Sequence, residues 1–173
     1  MSNNLNRSSN KVCLITGAAR GIGFNIARAM GKEGFTLAIS DVNEKMLSHA
    51  KERLVKDGFI VEVFTADLAL TNEPARLVNK VVKKLDRLDV VINNARAGEG
   101  CSFESESEEN WDLAFNVNLK AAFFLAKTAI EFMPKDGSII TISSVCASLI
   151  SEESPSYHIS KAGLSHLTRY LAV

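Results

Sequence analysis

The sequence predicts a doubly wound α/β domain, a parallel sheet of five strands in the order 3-2-1-4-5 with helices on both faces. Three observations point there. Short β-rich apolar runs alternate with helical stretches of ten residues or more. A glycine-rich turn, TGAARGIG (16–23), follows the first run and opens the first helical stretch. An acid, Asp41, closes the second run eighteen residues past Gly23.

Taken in order, KVCLITG (11–17) reads as the first strand, and the apolar residues of GIGFNIARAMGKEG (21–34) recur at helical spacing. FTLAIS (35–40) is a second strand, and NEKMLSHAKERLVKDG (43–58) a helix closed by a glycine. FIVEVFTA (59–66) is a third strand, and EPARLVNKVVKKL (73–85) a helix that tolerates Pro74 in its first turn. LDVVINNA (88–95) and GSIITISS (137–144) are strands separated by a long helical stretch from about Glu108 to Met133. A last helix begins near Tyr157 and runs through Val173, with Ile159, Ala162, Leu164, Leu167 and Leu171 as its buried side. That unfinished helix lies beside an unpaired sheet edge, so either a partner chain or further sequence is expected to cover it.

The totals limit the rest. With 173 residues the chain holds one domain over 11–173, preceded by a disordered polar tail, MSNNLNRSSN, that lacks the apolar core of a signal peptide. Twenty basic residues balance twenty acidic ones, which gives no footprint for nucleic acid and no basic arm for a membrane. No run approaches the length of a membrane span. Cys13, Cys101 and Cys146 are odd in number and far apart, which fits a reducing cytoplasm, a buried Cys13, and neither disulfides nor a metal site. His49, His158 and His166 have no ligand spacing and read as bystanders, with a reservation for His158 beside Tyr157.

The glycine-rich turn carries the first functional expectation. Gly17 permits the turn, Gly21 lets a pyrophosphate approach the backbone, and Gly23 allows the helix to pack close to the strand. Backbone N–H groups at the helix start favour a phosphate. Asp41 stands where an acid binds the adenosine ribose, or else it is an ordinary acid before a helix. Facing the ribose, it would oppose a 2′-phosphate by about 1–3 kcal/mol, which favours NAD. Arg20, able to pair with that phosphate, keeps NADP possible.

PSYHISKAGL (155–164) places Tyr157 and Lys161 four residues apart on one helix face. Such a pair alone is as well read as a surface contact. In company it gains meaning: TGAARGIG, ADL (66–68), INNA (92–95), NVNL (116–119), ITISSV (140–145) and YHISK (157–161) resemble the short-chain dehydrogenases/reductases, in that family's order and spacing across nearly the whole chain. The turn resembles the compact, single-domain branch. The resemblance implies a Rossmann-like fold and hydride transfer between NAD(P) and a small-molecule alcohol or ketone. It further implies a catalytic set of Asn118, Ser144, Tyr157 and Lys161. The cofactor would be bound by Gly17, Arg20, Gly21, Ile22, Gly23, Asp41, Asp67, Leu68, Asn94, Ala95, Tyr157 and Lys161. Asn116 and Ser143 remain alternatives one residue away from Asn118 and Ser144. Relatives commonly pair helices near this tyrosine into homodimers or homotetramers.

Two departures stand out. Arg96 occupies a place where the family usually has glycine; with a positive φ there, arginine would be strained by about 1 kcal/mol or more. It also has the reach to meet a phosphate or a charged substrate. The family's last two strands and its substrate lid find no counterpart within the 173 residues. This leaves a second function open: a dinucleotide-binding module without turnover.

Overall fold

The computed structural model describes residues 11–98, 100–152 and 154–173; the tail expected over residues 1–10 lies outside them. The elements are β1 (Val12–Thr16), α1 (Gly21–Lys32), β2 (Thr36–Asp41), α2 (Glu44–Lys56), β3 (Val61–Thr65), α3 (Glu73–Leu85) and β4 (Val90–Asn93). They continue with α4 (Glu108–Phe115), a π-helical turn (Asn116–Lys120), α5 (Ala121–Ile130), β5 (Ser138–Thr141), a 3₁₀ turn (Val145–Ala147) and α6 (Pro155–Leu171). The strands pair in parallel in the order β3-β2-β1-β4-β5, as expected.

Because successive strand residues face opposite sides, β1 feeds two cores. Cys13 and Ile15 pack with Phe24, Ala27, Leu47 and Leu54 of α1 and α2. Val12 and Leu14 pack with Leu77, Val78 and Val81 of α3 and Leu125 of α5. All five residues of β1 are buried, so the strand shows no alternation in sequence. Cys13 is the small buried hydrophobe expected, and burial, with Asp89 adding to it, pushes its thiol up to about 12. Pro74 sits in the first turn of α3, and Gly58 closes α2 with φ +90°.

Several boundaries move. β3 starts at Val61, because Phe59 is drawn off to pack on Gly31, where an added Cβ would come within 2.6 Å of its ring. β5 ends at Thr141, not Ser144: β4 stops at Asn93, whose carbonyl accepts from Ile142 N at 2.8 Å, and no strand pairing follows. α6 starts at Pro155, with Glu106 accepting from Ser156 N at 3.1 Å, and ends at Leu171, before Val173. Its buried side also differs from expectation. Ile159 and Ala162 are exposed, while Ser156, Ser160 and Lys161 are buried beside Leu164 and Leu167. The first turns of this face are polar, with Ser156 N donating to Glu106 and Ser160 bonded to Asn118, and the later turns pack Leu164 and Leu167 on Leu119 and Ala122.

The long helical stretch resolves into α4, the π turn and α5, which together form one rod, Glu108–Ile130, of 23 residues. By length and composition this rod is sufficient to cross a membrane, contrary to the reading that no run comes close. Its apolar residues Ala121, Leu125 and Ala129 are core residues against the sheet and α3.

Candidate active site

The carboxyl ends of β1, β2 and β4, the start of α1 and one face of α6 enclose a cavity of about 670 Å³. It joins Gly17, Gly21, Gly23 and Asp41 at one side to Tyr157 and Lys161 at the other. A second cavity of about 350 Å³ continues from Gly17 and Asp41 to Asp67 and Leu68. This is where a doubly wound sheet holds its ligand, outside the strand ends where the order reverses.

The turn after β1 is built by Thr16, Gly17 and Asn94. Thr16 Oγ1 accepts from both Asn94 N and Ala95 N at 3.1 Å, and Asn94 Nδ2 donates to Thr16 O at 2.8 Å and Gly17 O at 3.0 Å. The β4 exit is thereby clamped to the β1 exit. Gly17 has φ +64°, and a Cβ there would press on Ala95 Cα at 2.8 Å. At Gly23 a Cβ would meet Gly17 O at 2.3 Å. Gly21, with φ +58°, faces nothing within 4 Å: the backbone is packed shut behind the turn and open in front of it. That open front beside the N-terminus of α1 fits a phosphate group. Ile22 and Arg20 are exposed at its rim.

Asp41 ends β2, with its carboxylate accepting from Ala19 N at 3.2 Å and Asn43 N at 3.1 Å. The cap of α2 is Asn43, which accepts from Met46 N, so Asp41 is not spent as a helix cap. Asp67 accepts from Ala69 N at 3.0 Å and lines the smaller cavity with Leu68.

On the other side of the cleft, Lys161 is 2 % exposed and donates from Nζ to Ile142 O at 2.8 Å. Burial, and secondarily the Arg96 charge, lowers its pKa to about 8. Its Nζ lies 5.6 Å from the Tyr157 ring centroid. Ser143 turns its hydroxyl into α6, donating to Lys161 O at 3.2 Å and sharing a 2.7 Å bond with Ser165. Ser144 Oγ instead accepts from Cys146 N at 3.2 Å, an arrangement that leaves its proton to donate elsewhere. Ser143 rather than Ser144 lines the large cavity, although its hydroxyl points into α6.

Asn118 is turned inward by the π turn and is 2 % exposed, while Asn116 stays outside against Lys120. Its amide is committed, with Oδ1 accepting from Ala97 N at 2.9 Å and Nδ2 donating to Ala97 O at 3.1 Å and Ser160 Oγ at 3.0 Å. It does not line the large cavity. His158 bonds Ser151 through Nε2 at 2.9 Å. Arg96 is not among the residues with positive φ, so the expected strain is absent. Thr16 and Ser160 are the residues that sequence reasoning missed. The signal available was a lone hydroxyl residue within a strand or helix, which is common enough to carry no specificity.

The model of the short chain dehydrogenase family matches residues 11–173. The chain is a short-chain dehydrogenase/reductase. It is similar to the 3-oxoacyl-[acyl-carrier-protein] reductase FabG of Thermotoga maritima, 35% identical over 166 residues, covering 94% of this chain and 67% of that protein. Among solved structures it resembles a metagenomic short-chain oxidoreductase in complex with NADP, with TM-score 0.86 and 30% identity, covering 95% of this chain and 76% of the other. It also resembles a short chain dehydrogenase/reductase of Burkholderia phymatum in complex with NAD, with TM-score 0.88 and 25% identity, covering 94% and 59%. This short-chain dehydrogenase/reductase chain thus spans about two thirds of the length of the curated relatives it matches.

Proposed function

We propose that residues 11–173 form the dinucleotide-binding and catalytic part of an oxidoreductase that interconverts a small-molecule alcohol and ketone or aldehyde. The observation that carries the reading is the continuous cleft from the glycine turn and Asp41 to Tyr157 and Lys161. Gly17, Gly21, Gly23 and Ile22 would hold the diphosphate of a nicotinamide dinucleotide, Asp41 the adenosine ribose, Asp67 and Leu68 the adenine, and Asn94 and Ala95 the cleft wall. When bound, that cofactor supplies or accepts the hydride.

Tyr157 hands its hydroxyl proton to the substrate oxygen in reduction and takes it back in oxidation. Lys161, as ammonium beside the ring, favours the phenolate through which that proton cycles, and would hold the ribose next to the nicotinamide. Ser144 donates to the same substrate oxygen and orients the carbonyl. Asn118 acts from behind: by holding Ala97 and Ser160 it fixes the loop after β4 against α6. Its backbone is the candidate anchor for a water that relays protons to Lys161.

Asp41 argues for NAD, with Arg20 leaving NADP open; relatives of known structure bind either. We take the protein as cytoplasmic and as a homodimer or homotetramer, from the free thiols and the family. Tyr157→Phe should lower turnover at least ~10³-fold while leaving NADH affinity within about twofold. Undiminished turnover in that variant would refute the assignment. Wild-type protein that quenches NADH fluorescence without turning over any of a broad alcohol and ketone panel would favour the binding module instead.

A further inference from the structure

Arg96 follows Ala95 on the loop that leaves β4, and it lines the large cavity together with Tyr157 and Lys161. It borders the smaller cavity as well, but two observations locate its charge at the Tyr157 end. The guanidinium carbon is 5.7 Å from the Tyr157 ring centroid, close to the 5.6 Å that separates Lys161 Nζ from the same point. Its charge is also felt at Lys161, where it adds to burial in lowering the pKa. Among the described residues neither cation pairs with a carboxylate: Lys161 donates to the Ile142 carbonyl, and the exposed Arg96 reaches Gly98 O from Nη1 at 3.4 Å. Of the residues lining the large cavity Asp41 is the one acid, and it stands with the glycine turn at the opposite side. Two positive charges are thus gathered beside Tyr157, and one of them is a planar fork of donors with little else to bind.

The geometry points to Arg96 as a substrate-specificity residue that receives a carboxylate, which makes the substrates oxo acids and hydroxy acids whose carboxylate lies a few bonds from the reacting carbon. This rests on the oxidoreductase reading above and narrows its substrate class. In that reading the negative charge of the cofactor is its diphosphate, held at the glycine turn. The part that reaches Tyr157 is the nicotinamide and its ribose, which carry no negative charge. An anion within reach of Arg96 therefore comes from the substrate whose oxygen meets the Tyr157 hydroxyl. The guanidinium plane matches both oxygens of a carboxylate at once, and an anion there offsets the repulsion between Arg96 and Lys161. A neutral ketone of the same shape has nothing to give either cation.

The test measures initial rates with NADH and NADPH for pyruvate, acetoacetate and levulinate, each against its methyl ester. The proteins are the wild type, Arg96→Gln and Arg96→Lys, with thermal melts confirming that each is folded. The esters keep the ketone and lose the charge, and the acids step the carboxylate away from the ketone one carbon at a time. We expect the wild type to prefer at least one acid over its ester, and Arg96→Gln to lower that acid-to-ester ratio of kcat/KM by roughly tenfold, chiefly through KM. Arg96→Lys should restore part of the ratio, and added salt should shrink it. A wild type that prefers every ester, or a ratio that Arg96→Gln leaves unmoved, would overturn the assignment. So would an equal fall in kcat for acids and esters, which marks an effect on Tyr157 and not on substrate charge. A matching loss of ADP-ribose affinity by calorimetry would overturn it as well, by marking a cofactor contact. A wild type that binds NADH yet reduces neither acids nor esters would sink the oxidoreductase reading instead. The acids and esters are then titrated by calorimetry against the protein–NADH complex, where equal binding of each pair by the wild type would overturn the Arg96 assignment on its own.

Discussion

The two halves of the sheet are built from the same strand–helix–strand unit and differ in what they bury. Around β1, β2 and β3 the interior is apolar except for Thr16 and Ser40 at the strand ends, with Leu14, Ile15, Leu37 and Ile39 all fully enclosed. Around β4, β5 and α6 the buried residues include Asn93, Asn118, Ser156, Ser160 and Lys161, while Ile140 of β5 is 44% exposed. The first half is a scaffold whose stability is hydrophobic. The second gives up apolar burial to hold polar groups in register, and Lys161 shows the consequence, an ammonium depressed by the burial that positions it. A polar cleft and a well-filled core compete for the same interior, and here they are segregated along the sheet.

Three measurements test that contrast. The largest effect is expected in packing. Leu37→Ala should cost about 2–5 kcal/mol in denaturant unfolding, and Ile140→Ala about 0.5 kcal/mol, since one empties a sealed site and the other a half-open edge. Equal losses would show that the halves share one core. Next is Gly23→Ala at the hinge between them, where the new methyl meets Gly17 O and Asn94 Nδ2. It should cost about 1–3 kcal/mol and weaken NADH binding along with stability, because it forces apart the clamp that shapes the turn. Retention of both would mean that the turn tolerates a wider spacing.

The smallest effect is electrostatic. In the free protein, Lys161 should titrate near pH 8, read by NMR of labelled lysine, and Arg96→Gly should raise that midpoint by removing a like charge. The sign for stability follows. Below about pH 8 both folded and unfolded chains hold the proton, and the burial penalty is fully present. Between about 8 and the ordinary 10.5 the unfolded chain binds more protons, so this lysine's contribution to stability rises with pH. A midpoint near the ordinary lysine value would remove the argument that burial tunes this group.

How much of this was legible in the chain varies by kind of interaction. The alternation of strands and helices was, because apolar runs and helical spacing are local features, and a doubly wound sheet follows from that alternation. Asp41 and the glycines were too, since spacing along a single β-α-β unit brings them together. The buried side of α6 was misread at Ile159 and Ala162, because periodicity counts apolar residues and this helix also buries Ser156, Ser160 and Lys161. Thr16 and Ser160 went unnoticed, as a hydroxyl acquires a role only from the backbone groups that happen to face it.

By itself, then, the sequence determined the architecture, the glycine-rich turn after the first strand and the membership of Tyr157 and Lys161 in one helix face. Covalent spacing and residue propensity suffice for each of these. Only the tertiary structure decided that Asn118 points inward while Asn116 does not, that Ser143 turns its hydroxyl into α6 while Ser144 does not, and that Arg96 stands unstrained at the join of two cavities. Those depend on a π turn, a strand end and a loop path set by long-range packing; the motifs favoured Asn118 and Ser144, but local periodicity could not decide which side chain turns inward.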